Sequence, residues 1–198
     1  MVSSPANSTF WGRCLRDRRI ALFIGCLASL SALAIAHGAQ SFGGLDPCSL
    51  CYRQREVYWV VGTIAAIGFA SQMWRPDRRM RRAFLVLVGA GFLVGAVVAG
   101  FHAGVEWKFW PGPATCTGST IAKLQSIDGE GLLDALNGGA RPASCDEAAW
   151  RLVGLSMAGW NAVFAVSLSI FCFMAAWTRP LLMDRSAADA PSMSKASL

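Results

Sequence analysis

Charge is scarce in this chain. Only 15% of its 198 residues are Asp, Glu, Lys or Arg, against about 25% in soluble globular domains. Four long stretches carry no charge at all, which excludes an ordinary water-soluble domain. Histidine is rarer still, with His37 and His102 the only two. That excludes histidine-rich zinc centres and leaves open an all-thiolate zinc cluster drawn from both outer loops. The residue after Cys51 is Tyr52, so the Cys-x-x-Cys pair is not a c-type haem attachment, which needs histidine there. Nothing marks a haem, flavin or nucleotide site, and no internal repeat is present.

What the chain has is apolar blocks that stop at polar residues. They run from Ile20 to Ala36, Val57 to Trp74, Ala83 to Phe101 and Leu152 to Thr178. Each has roughly the 17–25 residues that a helix needs to cross a bilayer, and continuous apolar runs do not suit the alternating strands of a barrel. The expected fold is all-α: an integral membrane four-helix transmembrane bundle. The net charge of +6 does not point to nucleic acid, because the arginines cluster. Arg13, Arg16, Arg18 and Arg19 precede the first block, Arg75, Arg78, Arg79, Arg81 and Arg82 fill the turn between the second and third, and Arg179 and Arg185 follow the fourth. With four spans these places share one side, which the positive-inside rule makes cytoplasmic. The first block, followed by "AIAHGA", also resembles a secretory signal with an A-x-A cleavage site; the four-span count balances the charges, and the block is read as a span.

The same parity puts two cysteine pairs on the other face, in the compartment where disulfides persist. Cys48 and Cys51 lie in the first outer loop, Cys116 and Cys145 in the second. Cys14 falls in the cytoplasmic segment, and Cys26 and Cys172 fall inside spans, where cysteine acts as a small apolar residue. Three regions follow: a cytoplasmic N-terminal segment 1–19, a transmembrane unit 20–179, and a Ser/Ala-rich cytoplasmic tail 180–198 expected to be disordered. The second outer loop is the only long extramembrane segment, and Ile121, Leu124, Leu132, Leu133 and Leu136 in it suit a short amphipathic helix on the membrane surface. Pro47 favours a helix start, so the second span is expected to begin around the dithiol.

A dithiol at a helix N-terminus has acidic sulfurs, because the helix dipole and nearby cations stabilise thiolate. Arg55 lies four residues after Cys51 and so on the same helical face, where its permanent charge can hold a thiolate. Arg53 is read as reaching for the headgroups. His102, at the outer end of the third span, is a candidate hydrogen-bond donor or proton carrier expected to meet Arg55, with Glu106 one turn further on. Cys116 and Cys145 suit a structural disulfide, but that alone leaves the neighbouring Cys-x-x-Cys unexplained. A relay accounts for both pairs: an exposed loop disulfide is attacked by a soluble partner's thiolate and is reoxidised by the membrane pair. The membrane pair then needs a lipid-soluble two-electron acceptor, for which a quinone is the natural choice.

"PCSLCYRQR", Pro47 to Arg55, resembles the Pro-Cys-x-x-Cys-x-x-Gln-Arg signature of the DsbB family of bacterial inner-membrane proteins. "WPGPATC" resembles that family's approach to its third cysteine, and "SCDEAAWRLVGLSMAGWN" its passage from the fourth cysteine into the last span. The resemblance implies a four-helix bundle with a surface helix in the second periplasmic loop. It also implies reoxidation of a periplasmic thioredoxin-fold partner, DsbA-like, with electrons passed to ubiquinone or menaquinone. By position, it implies that Cys116 is attacked by the partner, Cys145 is its disulfide mate, Cys48 exchanges with the loop pair, and Cys51 lies against the quinone. Arg55 and His102 would complete the quinone site. Three other readings compete: a vitamin K epoxide reductase-like enzyme, a reductant conveyor using Cys26 and Cys172, and a structural or zinc-binding scaffold.

Overall fold

The computed structural model describes residues 17–45, 47–74, 77–113 and 145–178. Cys14, Cys116, the expected surface helix and the tail lie outside them. Four helices form the described structure: α1 (Arg18–Gly43), α2 (Ser49–Trp74), α3 (Arg78–Glu106) and α4 (Met157–Trp177). All four are long and apolar enough to cross a membrane. Only 28% to 39% of each most apolar window is buried within the protein, and Leu27, Ile35, Trp59, Val97 and Ile170 face outward. Such a surface needs lipid around it, and the chain is a four-helix membrane protein.

The helices extend beyond the uncharged blocks because polar residues at bilayer boundaries continue the backbone hydrogen bonding. Asp17 and Asp77 each accept the backbone N–H two residues on, at 2.9 Å, and so cap α1 and α3. Gly44, at φ 61°, ends α1 in the left-handed conformation that glycine adopts without steric cost.

The fourth block departs from the expectation of a span from Leu152 to Thr178. Its first residues form a two-stranded hairpin, β1 (Arg151–Leu152) and β2 (Leu155–Ser156), before α4 begins. Val153 and Gly154 have φ of 53° and 82°, the paired positive values of a tight type I′ turn. Ser156 then caps α4 by accepting from Gly159 N at 3.1 Å.

Neighbouring helices pack α1 on α2, α2 on α3 and α3 on α4, around Leu22, Val61, Leu85, Val88 and Phe92. α2 and α3 approach so closely that a Cβ on Gly91 would lie 2.4 Å from Val61 Cγ2, the small-residue contact that membrane helices use. At the arginine-rich end, Arg18 donates to the carbonyls of Ala175, Ala176 and Thr178 at 3.3, 2.9 and 3.2 Å. It thereby binds the start of α1 to the end of α4. Cys26 and Cys172 are free thiols in this core.

Candidate active site

Cys48 immediately precedes α2. Its carbonyl accepts the first helical bond from Tyr52 N at 3.2 Å, and its sulfur accepts from Cys51 N at 3.3 Å. The sulfur therefore occupies the place of an N-cap acceptor, where the helix dipole favours negative charge. Cys51, one turn on, brings its own sulfur to 3.0 Å from that of Cys48. Both are free thiols. The hydrogen bond from Cys51 lowers the Cys48 thiol to about 4, well below its ordinary value; burial opposes this, and a hydrogen bond from His102 adds to it.

Next to this dithiol lies a disulfide. Cys145 is buried and disulfide-bonded, with its mate outside the described residues. It shares one small cluster with Cys48, Leu50, Val105 and Cys51, and its sulfur is 3.6 Å from Ser49 Oγ. An ion pair from Lys108 to Asp146 ties this segment to the end of α3. Gly104 helps to shape that end: Trp110 folds back over it and donates to Phe101 O at 3.0 Å, and a Cβ on Gly104 would lie 2.0 Å from the indole.

His102 is buried, and it faces Cys48, not Arg55 as expected. Its Nε2 lies 3.6 Å from the Cys48 sulfur and 3.8 Å from Glu106 Oε1. Glu106 is buried too, and its Oε2 has no hydrogen-bond partner among the described residues. On its other side, His102 Nδ1 is 2.8 Å from Gln54 Nε2. Gln54 Oε1 accepts from Asn161 Nδ2 at 2.6 Å, and Asn161 Oδ1 accepts from the Tyr58 hydroxyl at 2.5 Å. Glu106 carried little weight in the sequence, Gln54 and Asn161 stood inside the quoted family motifs without an assigned role, and Tyr58 carried none. The available signal was amide side chains near or within apolar spans, which are rarely placed there without a use.

Arg55 turns the other way, toward α1. Its guanidinium donates to Gln40 Oε1 at 2.6 Å and Ala36 O at 2.9 Å and lies over the Tyr52 ring. Both acceptors are neutral, so its charge is anchored but not cancelled, one turn from the half-buried Cys51. Arg53 instead pairs with Glu56 at 2.9 Å on the surface, where such pairs contribute little.

Cys51 thus offers a partly accessible sulfur with a fixed cation one turn away. A groove of about 410 Å³ between α2 and α3 is lined by Leu50, Arg53, Val57, Val97 and Phe101. At about 100° per residue, Arg53 and Val57 occupy a different face of α2 from Cys51 and Arg55, and Leu50 alone joins the groove to the dithiol cluster. The two sulfurs and His102 Nε2 also lie within 4.8 Å of one another, a spacing open to a cation.

The family described as Disulfide bond formation protein DsbB matches residues 18–175. Curated relatives named Disulfide bond formation protein B include one from Albidiferax ferrireducens, 28% identical over 82% of this chain and 88% of the relative. Another, from Marinobacter nauticus, is 31% identical over 70% of this chain and 79% of its own length. A third, from Methylococcus capsulatus, is 28% identical over 82% of this chain and 96% of its own. No solved structure matches significantly. A four-helix membrane bundle holding a dithiol against a disulfide, and matched along nearly all its spans, belongs to the DsbB family of disulfide bond formation proteins.

Proposed function

We propose that this protein reoxidises a thioredoxin-fold thiol oxidase of the DsbA type and passes the two electrons to a membrane quinone, ubiquinone or menaquinone. Its place is the bacterial inner membrane, with the dithiol end in the periplasm and the arginine-rich end in the cytoplasm, an orientation that the positive-inside rule supports. The observation that carries this reading is the burial of a free dithiol and a disulfide-bonded cysteine in one cluster.

The steps follow from thiol–disulfide exchange. The reduced partner's thiolate attacks Cys116, releasing Cys145 as thiolate, and the partner's second thiol completes its own disulfide. The loop pair is now reduced. A loop thiolate attacks the oxidised Cys48–Cys51 bond at Cys48, and the electron pair leaves on Cys51. The second loop thiolate then restores the loop disulfide and releases Cys48. A bound quinone supplies a two-electron, two-proton acceptor that returns Cys48 and Cys51 to the disulfide. Arg55 stabilises negative charge beside Cys51, and Gln40 and Ala36 hold its guanidinium in place. His102 serves Cys48.

The test is turnover of purified protein with quinone and a reduced thioredoxin-fold partner. One quinol is expected per partner dithiol oxidised, none with Cys51→Ser, and roughly 10- to 100-fold slower quinol formation with Arg55→Met, as for loss of one preorganised charge. Quinone reduction that survives Cys51→Ser would overturn the assignment.

A further inference from the structure

Four polar side chains from three helices form one chain that ends on the Cys48 sulfur. Tyr58 and Gln54 come from α2, Asn161 from α4 and His102 from α3. Three of them, Tyr58, Gln54 and His102, are at most 9% exposed. Every link except the last is 2.8 Å or shorter.

The chain has a direction. A Tyr hydroxyl carries one proton, and an amide has fixed donor and acceptor ends. With Tyr58 donating to Asn161 Oδ1, the Asn161 nitrogen faces Gln54 Oε1, and the Gln54 nitrogen faces the imidazole. An amide nitrogen does not accept a hydrogen bond, so Nδ1 is bare. The ring proton then sits on Nε2, the atom that faces Cys48 and Glu106.

We propose that Gln54, oriented by Asn161 and Tyr58, is a positioning residue that fixes His102 as the Nε2–H tautomer and aims that proton at the sulfur of Cys48. The chemical consequence rests on the function proposed above. When the loop disulfide re-forms, the bond between the loop and Cys48 breaks and its electron pair stays on Cys48. A preset donor stabilises that departing thiolate and transfers no proton. The groups around Cys48 are Cys51 on its own helix, His102 and Glu106 on α3, and the Cys145 disulfide, which does not titrate; Arg55 lies one turn beyond Cys51, turned to α1. The opposite polarity, with both amides turned and Tyr58 accepting, would place the proton on Nδ1 and leave Nε2 as an acceptor.

The scarcity of histidine makes the test direct. Reduced full-length protein labelled with [15N]histidine shows two imidazoles, His37 and His102, and His37→Gln assigns them. Near neutral pH, His102 is expected to have a protonated Nε2 and a bare Nδ1. Gln54→Leu is expected to mix the tautomers and to make Cys48 about 10-fold less acidic by its thiolate absorbance, the effect of weakening one hydrogen bond to a charged group. Gln54→Glu is expected to draw the proton to Nδ1 and favour an imidazolium beside the sulfur, moving the Cys48 titration in the opposite direction. A Gln54 that merely packs would shift both variants the same way, and that result overturns the proposal. So does a wild-type His102 with its proton on Nδ1, which needs no variant to fold. Neither readout involves quinone or partner, so a failure here is distinct from a failure of the electron-transfer reading.

Discussion

Replacing Cys51 with alanine removes the hydrogen bond that does most to hold the Cys48 sulfur as thiolate. In the structure that bond spans 3.0 Å, and His102 supports the same sulfur from 3.6 Å while burial works against the charge. A hydrogen bond to a charged group contributes about 1.5–3 kcal/mol, or about 1–2 pH units at about 1.4 kcal/mol each. Cys51→Ala should therefore raise the Cys48 midpoint from about 4 by about 1–2 units. His102→Ala should raise it by less, since its contact is longer and is shared with Glu106. The sign carries over to stability. Folding depresses this thiol, so the thiolate's contribution is fully present above the unfolded value of 9.0 and is lost as pH falls toward about 4. The assay is the pH dependence of Cys48 alkylation in reduced protein, read by peptide mass, with denaturant unfolding alongside. A Cys51→Ala midpoint that stays put or falls would refute the reasoning, as would a larger shift from His102→Ala.

Arg18→Met should destabilise the bundle by about 2–4 kcal/mol, because three carbonyls at the end of α4 lose a charged donor; unfolding in detergent checks this. Gly104→Ala should displace Trp110, at a cost of about 1–3 kcal/mol for overpacking, visible as changed tryptophan fluorescence and a lower Tm. Val153→Gly should raise the Tm by the equivalent of about 1 kcal/mol, since a β-branched residue at φ 53° is strained where glycine is not; a lower Tm would count against the turn assignment.

The four spans were legible because uncharged length is a strong signal and arginine placement orders it. Cys48 and Cys51 were legible as well, since Pro47 and the residue spacing mark a helix start. The first turns of the fourth block were not. Hydropathy reads Leu152, Val153 and Leu155 as membrane, whereas the positive φ of Val153 and Gly154 closes a hairpin there. The partners of the site residues were also hidden, because helix rotation decides them. Periodicity placed Arg55 on the Cys51 face, but only packing shows that this face meets α1, while His102 meets Cys48 and Gln54. Gln54, Tyr58 and Asn161 are separated by up to 107 positions and come together only when α2 and α4 both pack on α3.

Exchange between Cys48 and the loop pair is most directly read in Cys116→Ser protein oxidised at Cys48–Cys51, where no second loop thiol is left to release Cys48. The account predicts a disulfide between Cys145 and Cys48 with Cys51 freed for alkylation, mapped by non-reducing peptide mass analysis. Cys145 joined to Cys51, or Cys145 wholly alkylated with the Cys48–Cys51 bond intact, would contradict it.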